Sequence, residues 1–223
     1  MRMSSTNFDI GRFPILRTWP QVDGGKFPVK AFVSEVIEFG AIATREGHDQ
    51  LGVDLVLTAP SGKVIRKPMQ PGSTGSDSWS VKEQLNELGV WSYQISAYDD
   101  RFGTWLHDTK IKLEAGVDSE LMLLEGSKLL TEISKSSSKP HQKTFSAIGK
   151  LFADQSMQPL ARFQQALDLG LVDIARLNPI HHLETLSPKV AILCERLAAG
   201  AASWYEFFPR SEGAKKSASG TWT

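Results

Sequence analysis

Four groups of side chains in this chain have the types that chemistry needs. Arg45-Glu46-Gly47-His48-Asp49 offers an imidazole between carboxylates, enough for a metal ligand or an acid/base pair. His181-His182 doubles the imidazole, and Asp99-Asp100 is the only adjacent acidic pair in its half of the chain. Trp79, Trp91 and Trp105 are large flat surfaces of the kind on which sugar rings stack.

Each group also has a plainer reading. The residues from Arg45 to Asp49 form a polar turn, where Gly, His and Asp serve the backbone, and no third metal ligand follows at a usable spacing. Adjacent histidines on a regular element point in different directions, so His181-His182 is poorly arranged for one metal and reads as a solvated or capping pair. Glycosyl transfer with retention needs two carboxylates about 5 Å apart, and Asp99-Asp100 on a loop before Arg101 reads more simply as solvated. Trp91 shares its strand face with Tyr93 and Ile95, and Trp105 with Ile111 and Leu113, so packing outweighs sugar stacking. No GxGxxG, phosphate loop, HExxH, GxSxG or CxxC is present. The residues therefore assign no catalytic, substrate-binding or metal-binding position, and no cofactor.

The elements that carry these residues fall into two periods. From Phe27 to about Leu113 the chain reads as strands. Val29, Ala31 and Val33 alternate with Lys30, Phe32 and Ser34; Ile37, Phe39, Ala41 and Ala43 form a second alternating run, and Val53, Leu55 and Leu57 a third. Val64-Ile65 and Trp79 with Val81 follow. Trp91, Tyr93, Ile95 and Ala97 share a face, and Trp105, His107, Thr109, Ile111 and Leu113 complete the set. About seven antiparallel strands with regular turns predict an immunoglobulin-like β-sandwich. Gly89-Val90-Trp91-Ser92-Tyr93 resembles the start of a late sandwich strand whose aromatic packs between the sheets.

After Gly116 the period is helical. Asp118 or Ser119 caps a helix through Met122, Leu129, Leu130 and Ile133, and Ser134 to Pro140 breaks it. Phe145, Ile148 and Phe152 mark a second helix, and Leu160, Phe163 and Leu167 a third, with Pro159 before it and Gly170 beyond. Ser187-Pro188 opens a fourth through Val190, Leu193, Cys194 and Leu197. A small helical bundle follows the sandwich on this reading. Trp204-Tyr205-Glu206-Phe207-Phe208 then reads as a new strand, an edge without a later partner in the chain. The expected divisions are an extended segment over 1–26, the sandwich over 27–116, the helices over 117–203 and a new unit from 204–223.

Composition narrows the partners. Lys plus Arg and Asp plus Glu number 25 each among 223 residues, which leaves no net field for nucleic acid or an anionic membrane. Cys194 is the only cysteine, so no internal disulfide forms and it behaves as a small core hydrophobe. With no signal-like N-terminus and no membrane-length apolar run, a cytoplasmic address is expected.

Five segments in order bring a family into view. They are Gly11-Arg12-Phe13-Pro14-Ile15-Leu16, Phe27-Pro28-Val29-Lys30, Arg45-Glu46-Gly47-His48-Asp49, Gly103-Thr104-Trp105-Leu106-His107-Asp108, and the run from Ala202 to Gly213 containing Trp204-Tyr205-Glu206-Phe207-Phe208-Pro209-Arg210. With Leu121-Met122-Leu123-Leu124-Glu125-Gly126, they resemble the N-terminal region of the bacterial α-1,4-glucan:maltose-1-phosphate maltosyltransferases. The resemblance implies a sandwich and a helical bundle that share in a homodimer contact, ahead of an α-amylase-type (β/α)₈ barrel. It implies maltosyl transfer from maltose 1-phosphate to an α-1,4-glucan, with phosphate released and configuration retained. A barrel needs about 250 residues. Residues 204–223 would match only its truncated start, so the family's carboxylate pair has no counterpart here. The expectation is a non-catalytic region contributing folding and dimer contacts, the alternative a free-standing glycan-binding or dimerisation module.

Overall fold

The computed structural model describes residues 11–73, 75–201, 206 and 208. In chain order the strands are β1 (Ile15–Trp19), β2 (Val29–Phe32), β3 (Val36–Ala43), β4 (Leu51–Thr58), β5 (Val64–Pro68), β6 (Gln70–Pro71), β7 (Ser78–Gln84) and β8 (Gly89–Asp99). Five helices follow: α1 (Arg101–Glu114), α2 (Ser119–Ser134), α3 (Lys139–Ala153), α4 (Pro159–Asp168) and α5 (Leu171–Arg176). The chain then returns to strand in β9 (His182–Leu186) and β10 (Val190–Glu195).

The strands form a four-stranded sheet, β1-β3-β7-β6, and a six-stranded sheet, β2-β10-β8-β4-β5, with β9 also paired to β8. Strict alternation on β3, β4 and β8 turns one face of each sheet inward. Phe39 and Ala41 from the first sheet meet Leu55, Leu57, Trp91, Tyr93 and Ile95 from the second in one core. The Phe39 and Tyr93 rings touch edge to face across the gap, with centroids 5.1 Å apart. Trp91 is 1% exposed and donates its Nε1–H to the Glu87 carbonyl at 2.9 Å. The aromatic residues expected to pack between the sheets do so.

β8 is the organising strand. β4 runs along one edge from Leu51 to Thr58. The other edge is shared in succession: β10 pairs with Gly89 to Tyr93, and β9 with Ser96, Ala97 and Asp99. Ser187 stands between them, donating its backbone N–H to the Ile95 carbonyl at 2.8 Å and accepting the Ile95 N–H on Oγ at 2.9 Å. β10 in turn carries β2 as a parallel neighbour.

Two expectations are overturned here. Residues 105–113 are not a strand but most of α1. The buried positions are Phe102, Trp105, Leu106, Thr109 and Leu113, a helical stripe, whereas Ile111 is 55% exposed. Asp100 starts this helix by accepting the Gly103 N–H at 2.8 Å. Likewise Val190 to Glu195 is a strand rather than a helix. Val190, Ile192 and Cys194 point into the sheet core, while Ala191, Leu193 and Glu195 alternate away from it. Helix thus begins within the expected 27–116 segment, and strand recurs within 117–203. Residues 15–19 of the expected extended segment are a strand on β3. The expected strand at Trp204 to Phe208 and the barrel start over 204–223 lie outside the described residues, apart from Glu206 and Phe208.

The helices surround their own core. Trp105 packs against Phe102, Phe152 and Phe163, with ring centroids 5.7 to 6.1 Å away. Its Nε1–H reaches the Met122 carbonyl at 2.8 Å. Gly126 on α2 lies directly beneath the indole, where an added Cβ would overlap the ring, so α1 and α2 approach closely only because this position is glycine. Phe145, Ile148, Phe152 and Phe163 are buried as their spacing predicts, but Leu160 is exposed and Arg162 takes a core position instead.

Candidate functional site

The polar groups singled out in the sequence converge where the helices leave and rejoin the six-stranded sheet. Asp99 closes β8, Asp49 lies just before β4, Arg45 just after β3, and His182 opens β9. Arg45 is the hub. Its Nη1 donates to Asp99 Oδ1 at 2.8 Å and to the Gln50 carbonyl at 2.8 Å, and its Nη2 donates to Asp49 Oδ2 at 2.8 Å. The guanidinium also stacks over the Phe13 ring, 5.4 Å from its centroid. His182 Nδ1 reaches Asp99 Oδ2 at 3.3 Å. Glu46 and His48 remain exposed in the turn.

Asp99 and Asp49 therefore come together, but around a fixed cation. A carboxylate pair working on a glycosidic bond needs the space between its members open to substrate and the two pKa values held apart. A guanidinium bonded to both occupies that space. Asp100 is turned away as the cap of α1. Burial pushes its carboxyl above the ordinary range, and the Gly103 N–H and the nearby Arg176 partly offset that.

One step inward lies a second network of which the sequence marked only His181, and His181 is neither solvated nor a cap but paired with a buried carboxylate. His181 Nε2 is 2.8 Å from Asp54 Oδ2, Arg66 Nη1 is 3.6 Å from the same oxygen, and Tyr98 donates its hydroxyl to Asp54 Oδ1 at 3.4 Å. Arg66 Nη2 donates to Glu184 Oε1 at 2.7 Å, and Ser96 Oγ donates to the same oxygen at 2.6 Å. Asp54 and Ser96 are buried on the face of the sheet opposite the apolar core. Tyr98 lies across Gly52, whose missing side chain makes room for the ring. Burial drives the Tyr98 hydroxyl far above its ordinary value, reinforced by the Asp54 charge. Burial also lifts the Glu184 carboxyl, but hydrogen bonds from Ser96 and Arg66 outweigh it and hold the group below the usual range. The available signal was Asp54, a charged residue inside the otherwise apolar run from Val53 to Leu57, which requires a buried partner.

A cleft of about 450 Å³ opens beside these pairs, lined by Asp49, Asp99, Thr104, Trp105 and Asp108, with α2 opposite. Arg101 crosses it to Glu132 at 3.0 Å. Among the described residues, no group of three or more His, Cys, Asp or Glu is disposed to hold a metal, and no helix is long and apolar enough to cross a membrane. Trp91 and Trp105 are core residues, and Trp79 is half-buried with its Nε1–H on the Ala43 carbonyl at 3.2 Å.

The sequence matches known proteins over most of its length. It is 35% identical over 215 residues to alpha-1,4-glucan:maltose-1-phosphate maltosyltransferase 1 of Streptomyces coelicolor, covering 95% of this chain and 32% of the relative. Maltosyltransferase 2 of the same organism is 35% identical over 223 residues, covering 99% and 33%. The corresponding Corynebacterium pseudotuberculosis protein is 33% identical over 207 residues, covering 91% and 31%. The chain thus spans about a third of the length of the curated relatives it matches. Residues 11–196 match the family model described as alpha-1,4-glucan:maltose-1-phosphate maltosyltransferase, domain N/S, from the first described residue to the end of β10, and the chain belongs to that family.

Proposed function

We propose that this chain is a non-catalytic N-terminal region of an enzyme that transfers maltosyl from maltose 1-phosphate to α-1,4-glucans. Its part is to fold as an immunoglobulin-like sandwich carrying a helical bundle and to supply contacts for a cytoplasmic homodimer. The match of residues 11–196 to domain N/S carries the assignment. The state of the carboxylates supports the lack of catalysis: Asp49 and Asp99 are bound to Arg45, Asp54 lies against His181 and Arg66, and Asp100 caps a helix. Leu121 and Leu124, one turn apart on α2 and 48% and 53% exposed, offer apolar surface for the dimer contact.

Phosphate release from maltose 1-phosphate, with an α-glucan acceptor present, is the direct test. The 223-residue chain is expected to release none, and measurable turnover by it overturns the reading. Sedimentation addresses the assembly: a dimer is expected, and a monomer at high concentration removes the dimer contact from the proposal.

A further inference from the structure

Asp99 lines the acidic cleft, while its neighbour Asp100 lines a different cavity of about 360 Å³ between the start of β4, the β5–β7 margin and the helices α1, α2 and α5. That volume lies at the lower end of ligand pockets, roughly 300–1,000 Å³, and suits a short ligand. Two aromatic side chains in its wall are held in fixed positions. Trp79 is tethered through Nε1 to the Ala43 carbonyl, and Tyr98 lies across Gly52 with its hydroxyl on Asp54.

Arg101 in the wall is spent on Glu132 and the Tyr98 hydroxyl on Asp54, but other polar groups there have capacity to spare. Asp100 uses Oδ1 for the Gly103 N–H, and Oδ2 has no hydrogen-bond partner among the described residues. The side-chain amides of Gln50 and Gln70 and the guanidinium of Arg176 also make no hydrogen bond to described residues, and all line the same space. Fixed aromatic surfaces next to free donors and acceptors complement a pyranose, which presents C–H faces to the rings and hydroxyls to amide, carboxylate and guanidinium groups. A purely apolar ligand would make no use of Asp100 and Arg176, and a phosphate would meet the Asp100 carboxylate.

We propose that this cavity binds a short α-glucan segment, with Trp79 as its stacking surface and Asp100, Gln70 and Arg176 as its hydroxyl partners. The choice of an α-linked glucan rests on the proposed function above, whereas the pyranose chemistry rests on the lining.

Titrating the full chain with maltotriose, by calorimetry and by tryptophan fluorescence, tests the site. Saturable binding is expected, with the fluorescence response lost in Trp79→Phe, because Trp79 is the one tryptophan in the lining. Arg176→Ala and Gln70→Ala are each expected to weaken binding by about ten-fold, and Gln70→Ala to leave the urea midpoint unchanged. Absence of saturable binding, or binding untouched by Arg176→Ala, overturns the site. Equal affinity for cellotriose overturns the α-glucan assignment. Phosphate release by a longer protein containing this region is read separately, so the site and the proposed function fail independently.

Discussion

His181 Nε2 stands 2.8 Å from Asp54 Oδ2, tying the loop behind the last helix to the middle of a sheet strand. Asp54 is nearly fully buried, with 4% of its side chain exposed, while its partners Arg66 and His181 keep partial access to water, at 36% and 22%. Removing the buried member leaves Arg66 and His181, which water can partly rescue, and the buried Tyr98 hydroxyl, which loses its acceptor. Asp54→Ala is therefore expected to cost about 2–4 kcal/mol, somewhat below the loss for a fully enclosed pair. Urea unfolding with an unchanged slope checks it. A midpoint within error of the parent would show that the pair contributes nothing.

Gly52 and Tyr98 form a matched couple, and the match is steric. Gly52→Ala places a methyl group into the Tyr98 ring and is expected to destabilise by about 1–3 kcal/mol, against the general gain from replacing glycine. Combining it with Tyr98→Ala should recover part of that cost, because the obstruction has gone. A double-mutant cycle measures this, and strict additivity would refute the contact.

Glu184 makes the network sensitive to acid. Its carboxyl is held below the ordinary value of 4.5, since the Ser96 and Arg66 hydrogen bonds outweigh burial. It adds stability that is complete above pH 4.5 and is lost as the pH falls through the lower folded value. Glu184→Gln is expected to lower the urea midpoint at pH 7, and the difference from the parent to shrink as the pH falls below 4.5. A difference that persists undiminished into acid would assign the effect to packing rather than charge.

Arg162 is 1% exposed, bonded to the Phe152 carbonyl at 2.6 Å and paired with Glu120, while its Nε has no partner among the described residues. Glu120 is largely exposed and can be rehydrated once the guanidinium is removed. Arg162→Met, which keeps most of the volume, is expected to cost less than about 2 kcal/mol, and Arg162→Ala about 2–4 kcal/mol through the cavity it leaves. Thermal and urea unfolding of the two variants test the order, and the reverse order would show that charge rather than volume dominates here.

The sheet cores were legible because every second residue of Ile37 to Ala43, Val53 to Leu57 and Trp91 to Ala97 is apolar. Residues 101–114 were not, because Trp105, Thr109 and Leu113 satisfy both a two-residue and a four-residue period. Burial of Leu106 and exposure of Ile111 decide between the two, and neither is visible in a one-dimensional pattern. Val190 to Glu195 failed in the opposite sense, since Val190, Leu193 and Cys194 mimic a helical stripe within a run too short for periodicity to choose. Arg45, Asp49, Asp99 and His182 were each noticed alone. Their meeting depends on β9 returning to β8 after five helices, a long-range pairing that local propensity does not encode.

The order in which β8 acquires its neighbours also sets a timetable for synthesis. Among the described residues β2 pairs with β10 alone, so the strand at residues 29–32 has no described sheet partner until residues 190–195 have been made. At a translation speed of roughly 5–20 residues per second, that interval is on the order of ten seconds or more. Once β8 has been made, its Gly89 to Tyr93 edge is equally bare for the rest of that interval. The nascent chain thus carries two open strand edges while its helices are still being made, which is when a chaperone, or a second nascent copy, has the best chance of engaging it.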